Sequence, residues 1–197
     1  MRKHLSILTL SAIMLFAFAA CSEGDEPAVM EQYASLPNGA TLIIHTLESA
    51  KAEGFVVHED GDITFGQSTW DKFTSNVEDG IPSAVSLAYH FTLNNQNICP
   101  ELYEEIKNDY PRLFTYNLSF DGSQFILYSI EETEEYIFKF LQRFEEIPPV
   151  TATYRRAVRY VLVNDNEITW EQIIRSMISS WSGDFIAHRT VYTKLYN

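Results

Sequence analysis

Side chains able to bind a cation or move a proton are concentrated at His58-Glu59-Asp60-Gly61-Asp62, where one imidazole and three carboxylates surround a glycine. A hard cation takes several carboxylate oxygens gathered by a tight turn, which makes this run the candidate metal cluster. It lacks the spaced ligands and the closing Glu of a calcium loop, so the expectation is a solvated hairpin tip. His90 and His188 lie within alternating stretches and read as packed or surface imidazoles rather than general bases. Glu131-Glu132 with Glu134-Glu135, and Glu145-Glu146, read as exposed loop charge rather than as a paired acid and base. The chain contains no phosphate-cradling P-loop, no Gly-x-Gly-x-x-Gly, no His-Glu-x-x-His and no Gly-x-Ser-x-Gly. No catalytic residue, metal ligand or cofactor is therefore expected.

The two cysteines, Cys21 and Cys99, call for separate explanations. Ahead of Cys21 stand a basic head (Arg2, Lys3, His4), an apolar stretch from Leu5 to Phe18 and the small pair Ala19-Ala20, the layout of a secretory signal over residues 1–20. The apolar stretch is shorter than the roughly 20 residues that cross a bilayer, and the acidic run Ser22-Glu23-Gly24-Asp25-Glu26 follows at once. A cleaved signal is expected rather than a permanent span. The segment Phe18-Ala19-Ala20-Cys21 resembles the lipobox of bacterial lipoproteins, with Phe18 where that motif usually has Leu, Val or Ile. The resemblance implies cleavage before Cys21 and a diacylglyceryl group on its thiol. Each buried methylene contributes about 0.8 kcal/mol and one chain holds only marginally, so two or three chains on Cys21 would make a lasting membrane anchor. Residues 21–40 then read as the lipidated cysteine and a short acidic tether. With Cys21 lipidated, Cys99 has no intramolecular partner and reads as a tolerated lone thiol in a polar loop opening into a helix.

Without residues 1–20 the chain keeps 12 basic residues against 27 acidic ones, a formal charge of −15. That balance disfavours nucleic acid, whose binding rests on neutralising phosphates with Lys and Arg. An apolar fraction of 46% argues against disorder and for one filled core over residues 41–197. The expected address is the cell membrane or cell surface, with the domain outside the cytoplasm.

The elements that must hold these residues are read from hydrophobic period and turn residues. Leu42–His45 reads as a short strand or packed turn, and Leu47–Glu53 as a helix ended by Gly54. Phe55–His58 and Ile63–Phe65 flank the Asp60-Gly61 pair, a strong hairpin signal. Ser68 is expected to cap a helix with Trp70, Phe73 and Val77 on one face, stopped by Gly80 and Pro82. Ser83–Thr92 alternates as a strand with Val85, Leu87, Tyr89 and Phe91 on one face. Pro100–Asp109 reads as a short helix before Pro111, and Leu113–Phe120 with Gln124–Ile130 as a second hairpin around Asp121-Gly122. Tyr136–Leu141 favours a strand, as does Tyr154–Val163 beyond Pro148-Pro149. Thr169 and Gln172 form a capping box for a helix reaching Trp181, whose apolar stripe is Trp170, Ile173, Ile174, Met177, Ile178 and Trp181. This helix is expected to be the main cover of the sheet, and Phe185–Tyr192 to be the last strand. The expected fold is α+β, a single domain with a mainly antiparallel sheet and two or three helices packed mostly on one face.

Trp70, Tyr89, Phe91, Tyr116, Phe120, Tyr128, Tyr136, Phe138 and Phe140 read chiefly as core. Any exposed remainder would recognise a sugar or peptide by stacking and apolar contact. The stretches Phe55–Gln67, Leu118–Gly122, Tyr160–Asp165 and Thr169–Glu171 resemble a group of small bacterial lipoproteins with an exported domain of unassigned function, over residues 55–193. That resemblance implies one exported domain and assigns no site. The expected function is an envelope lipoprotein whose domain binds, without catalysis, a protein, peptide or glycan at the cell surface. The alternative is an envelope-acting hydrolase using carboxylate or His residues. Convergent carboxylates, or a His beside one in a deep pocket, would favour the enzyme, and a shallow aromatic patch would favour binding.

Overall fold

The computed structural model describes residues 32–35, 41–44, 46–94, 98–149 and 152–197; the expected signal over 1–20 and the lipidation site Cys21 lie outside them. Among the described residues the order is β1 (Gln32–Ser35), β2 (Thr41–Ile44), α1 (Leu47–Ala52), β3 (Val56–Glu59), β4 (Asp62–Phe65), α2 (Gln67–Glu78) and β5 (Ser83–Phe91). There follow α3 (Pro100–Ile106), β6 (Arg112–Phe120), β7 (Phe125–Ser129), β8 (Glu134–Phe138), β9 (Phe140–Glu146), β10 (Arg156–Val163), α4 (Trp170–Ile178) and β11 (His188–Tyr196). The fold is α+β. The strands form a six-stranded sheet in the order β4-β3-β5-β6-β7-β8, a three-stranded sheet β11-β10-β9, and the hairpin β1-β2. Among these pairs only β3 with β5 is parallel.

The parallel pair follows from the connection. A two-residue turn joins β3 to β4, and Asp60 (φ 49°) and Gly61 (φ 90°) adopt the left-handed backbone that such a turn needs. Strand β4 brings the chain back to the end of the sheet where β3 begins, and α2 then carries it across β3 so that β5 starts at that same end and runs parallel to β3. Its entry residue is Gly66 rather than the expected Ser68, which lies inside the helix. Gly66 has φ 81°, and a Cβ there would stand 2.6 Å from the Phe55 carbonyl oxygen. A close approach of backbone to β3 therefore starts the helix, where the sequence suggested a hydroxyl cap.

The sheet pairing places Val56, Leu87, Leu118, Leu127 and Phe138 on one face, here called the inner face. Two things cover it. One is α2, whose Trp70 and Phe73 are 1% and 2% exposed. The other is the three-stranded sheet, which contributes Leu162, Val191 and Tyr192 to the same core. Trp70 joins the two covers, stacking on Tyr192 at 4.7 Å and meeting Tyr160 edge-on at 5.2 Å. On the outer face α1 packs Ala50 against Val57 and Ala88.

The last helix differs from expectation. It stops at Ile178, short of Trp181, and its buried residue is Ile173, packed with Val161 and Val163 on the far side of the small sheet. Met177, Ile178 and Trp181 are 66%, 80% and 74% exposed, and Ile174 is 37% exposed. A three-stranded sheet is too narrow to cover the whole stripe, so the main helix of the core is α2. The aromatic run from Tyr136 to Leu141 also divides: β8 ends at Phe138 in the large sheet and β9 begins at Phe140 in the small one.

Candidate functional site

The tip of the His58–Asp62 hairpin, Asp60 and Gly61, is exposed as expected, while His58 and Asp62 behind it form a clasp between the two sheets. Among the described residues strand β11 lies at the edge of its sheet with β10 as its one strand neighbour, so its outer side would leave backbone groups open. Side chains from the β3–β4 hairpin and β5 engage three of them. Tyr89 Oη donates to the Val191 carbonyl (2.8 Å), the Thr193 amide donates to His58 Nε2 (3.2 Å), and the Leu195 amide donates to Asp62 Oδ1 (2.8 Å). The other carboxylates brace the hairpin. Asp60 accepts from the Thr92 amide (2.8 Å) and hydroxyl (2.6 Å), and Glu59 Oε1 accepts from Lys51 Nζ and Thr64 Oγ1, both at 2.7 Å. These partners hold Glu59 and Asp60 below the usual carboxylate range, Lys51 foremost for Glu59 and the Thr92 hydroxyl for Asp60. Among the described residues no group of three or more His, Cys, Asp and Glu is placed to hold a metal ion.

His58 is buried, 2% exposed. Its ring stacks on Tyr89 at 5.0 Å and meets Tyr192 edge-on at 5.6 Å. Accepting from the Thr193 amide requires Nε2 to be unprotonated, which puts the neutral ring's proton on Nδ1, and that atom has no hydrogen-bond partner among the described residues. Burial pushes the imidazole pKa down to about 4. Burial likewise pushes the Tyr192 hydroxyl up to about 12 and raises that of Tyr89.

Beyond Tyr89 the small sheet no longer covers the large one, and a cleft of about 260 Å³ opens there. Its floor is the inner face, with Tyr89, Phe91, Phe114 and Tyr116, and its wall is the start of β11 from His188 to Val191. The floor rings pair edge to face, Tyr89 with Tyr116 at 5.6 Å and Phe91 with Phe114 at 6.1 Å. Burial is the first cause raising the Tyr116 hydroxyl, with Glu132 and Glu131 next. The Arg189 guanidinium lies over the Tyr136 ring at 4.9 Å, and a second hollow continues there past Phe138 and Phe185. His188 Nδ1 lies 2.8 Å from the Ile186 carbonyl.

Of the aromatic residues expected as a possible groove, Tyr89, Phe91 and Tyr116 meet in this cleft, and Tyr136 and Phe138 line its continuation. Trp70 and Phe120 belong to the core, Phe140 packs under α4, and Tyr128 is exposed on the outer face. Phe114, Arg189 and Thr190 were not singled out by sequence; Phe114 shares the alternation phase of Tyr116, which was the available signal. His188 is half-buried in the cleft wall, whereas His90 sits on the outer face near Leu47 and Leu113. Glu145 and Glu146 are not loop charge: they end β9, Glu145 pairing with Arg143 (3.2 Å) and Arg156 (3.1 Å) and Glu146 with Arg159. Glu134 and Glu135 lie on β8, and Glu131 in the preceding turn accepts from the Thr115 amide and hydroxyl at 2.7 Å. Cys99 is an exposed free thiol at the start of α3. No helix of the described residues is long and apolar enough to cross a membrane. No protein-family model, curated protein or solved structure matches the chain.

Proposed function

We propose that this chain is a lipoprotein anchored in the cell membrane through lipid on Cys21, carrying at the cell surface a non-catalytic domain that binds a protein, peptide or glycan in the aromatic cleft. The observation that carries the binding reading is the uncovered inner face itself. Phe91, 38% exposed, and the Phe114 and Tyr116 rings beside it offer apolar surface at a concave site bordered by polar groups, the usual character of a recognition site. The clasp carboxylates support the same reading, since each is engaged in bracing the fold. The anchor rests on the order of residues 1–21.

Two measurements test the two halves. Cys21→Ser should leave the protein unlabelled by membrane-incorporated fatty acid and free of the membrane fraction; a labelled, membrane-bound variant would remove the anchor from the proposal. For the cleft, immobilised full-length chain and its Phe114→Ala variant are exposed to envelope-derived peptides and glycans. Retention by the parent and loss of it in the variant is the expected result. Equal retention by the two would place recognition elsewhere.

A further inference from the structure

Among the described residues the cleft wall is a piece of unpaired strand edge. The clasp engages the outer side of β11 at three backbone groups, the Val191 carbonyl and the Thr193 and Leu195 amides, through Tyr89, His58 and Asp62. Ahead of Val191, residues His188 to Thr190 pair, among the described residues, only with β10, through Val163, Leu162 and Val161. Antiparallel pairing turns the N–H and C=O of every second residue away from the partner strand, so backbone donors and acceptors face the cleft. Directly below this edge lies the floor of Phe91, Phe114 and Tyr116. At the rim the exposed Arg189 guanidinium rests on the Tyr136 ring, and among the described residues it has no carboxylate within ion-pair distance. The Tyr136 hydroxyl donates to Glu134 at 2.5 Å, with Glu132 at 3.4 Å.

From this arrangement we infer that the cleft takes an extended peptide, which adds a short strand to the free edge of β11 at His188–Thr190, lays an apolar side chain on the aromatic floor and sets a carboxylate against Arg189. The inference rests on the cleft being the binding site and names its ligand class. Three features favour a peptide over a sugar. An unpaired strand edge complements another extended backbone, with main-chain hydrogen bonds giving affinity and alternate side chains giving specificity. The alternation of an added strand would send every second side chain down to the floor and the rest to solvent. An exposed guanidinium that has no ion-pair partner among the described residues complements a carboxylate, and neutral sugars have none.

The test passes hexapeptide pools, randomised over apolar residues with one fixed Asp, over immobilised full-length chain in detergent; retained sequences are then titrated one by one. Retained peptides should bind at least about tenfold more weakly when alternate backbone nitrogens are methylated, the loss of roughly one hydrogen bond to a partner left unsatisfied. Arg189→Gln should weaken them comparably, and replacing the peptide Asp by Asn should remove most of the further effect of that variant. Amidating the C-terminus tells whether the carboxylate engaged is the side chain or the chain end. Hydrogen exchange at His188–Thr190 should slow on binding. Retained peptides indifferent both to methylation and to Arg189→Gln would overturn the inference. Retention of cello- or chito-oligosaccharides, lost in Phe114→Ala, with no peptide retained would also overturn it while leaving the cleft as the binding site. Retention of neither class would overturn both.

Discussion

Replacing His58 by Gln should flatten the acid side of the stability profile, with a pH-independent loss from the missing ring contacts to Tyr89 and Tyr192. Gln can offer its side-chain oxygen to the Thr193 amide as Nε2 does now, but it does not titrate. In the folded protein His58 stays neutral down to about pH 4, whereas in the unfolded chain it takes its proton near pH 6.5. Between those values the unfolded state binds more protons, so His58 contributes full stability above about pH 6.5 and loses it progressively as pH falls through the folded value. The loss is about 2 kcal/mol at pH 5 and roughly 3 kcal/mol once both forms are charged. Against the roughly 5 to 15 kcal/mol that holds an ordinary domain folded, this is a visible fraction. Glu59 and Asp60, with lowered carboxylate pKa values, lose their contribution only at lower pH, so about pH 5 to 7 is the diagnostic window. Denaturant midpoints of parent and His58→Gln, measured across it, should differ in slope, the parent falling toward acid and the variant holding. Parallel falls in the two proteins would mean that His58 is not held neutral between the sheets, and the clasp would have to be redrawn.

Two further variants probe the fold by denaturation. Ile173→Ala should cost about 2 to 5 kcal/mol because Ile173 is fully buried between α4 and the small sheet; Ile174→Ala, at a 37% exposed position, should cost about 1 kcal/mol or less, and equal losses would contradict the assigned face. Gly66→Ala should destabilise by at least about 1 to 3 kcal/mol, since φ 81° strains an L-residue and the new Cβ meets the Phe55 carbonyl oxygen at 2.6 Å; an unchanged midpoint would show that the entry to α2 shifts freely.

Local order was legible in this sequence because local signals agree with one another. The Asp60-Gly61 turn, the alternation of β5 and the Thr169–Gln172 capping box each need only neighbours a few residues away, and all three are present. The errors fall where the partner is distant. The stripe of α4 reports which side chains share a face, but the width of the surface beneath is set by β9, β10 and β11, so the pattern could not show that Met177 and Ile178 overhang it. Tyr136, Phe138 and Phe140 keep one alternation phase across Lys139, where the chain passes from one sheet to the other, and nothing in that phase marks the passage. His58 is the clearest case. A polar run around Asp-Gly looks solvated, yet the parallel register sets His58 beside Tyr89, and Thr193 arrives from 135 residues further along the chain. The cleft has the same origin: its floor comes from β5 and β6, its wall from β11, and it is open because the small sheet stops short of Phe91 and Phe114. Where the covering sheet ends is a property of two surfaces fitted together, and hydrophobic period, which describes one surface at a time, carries no record of it.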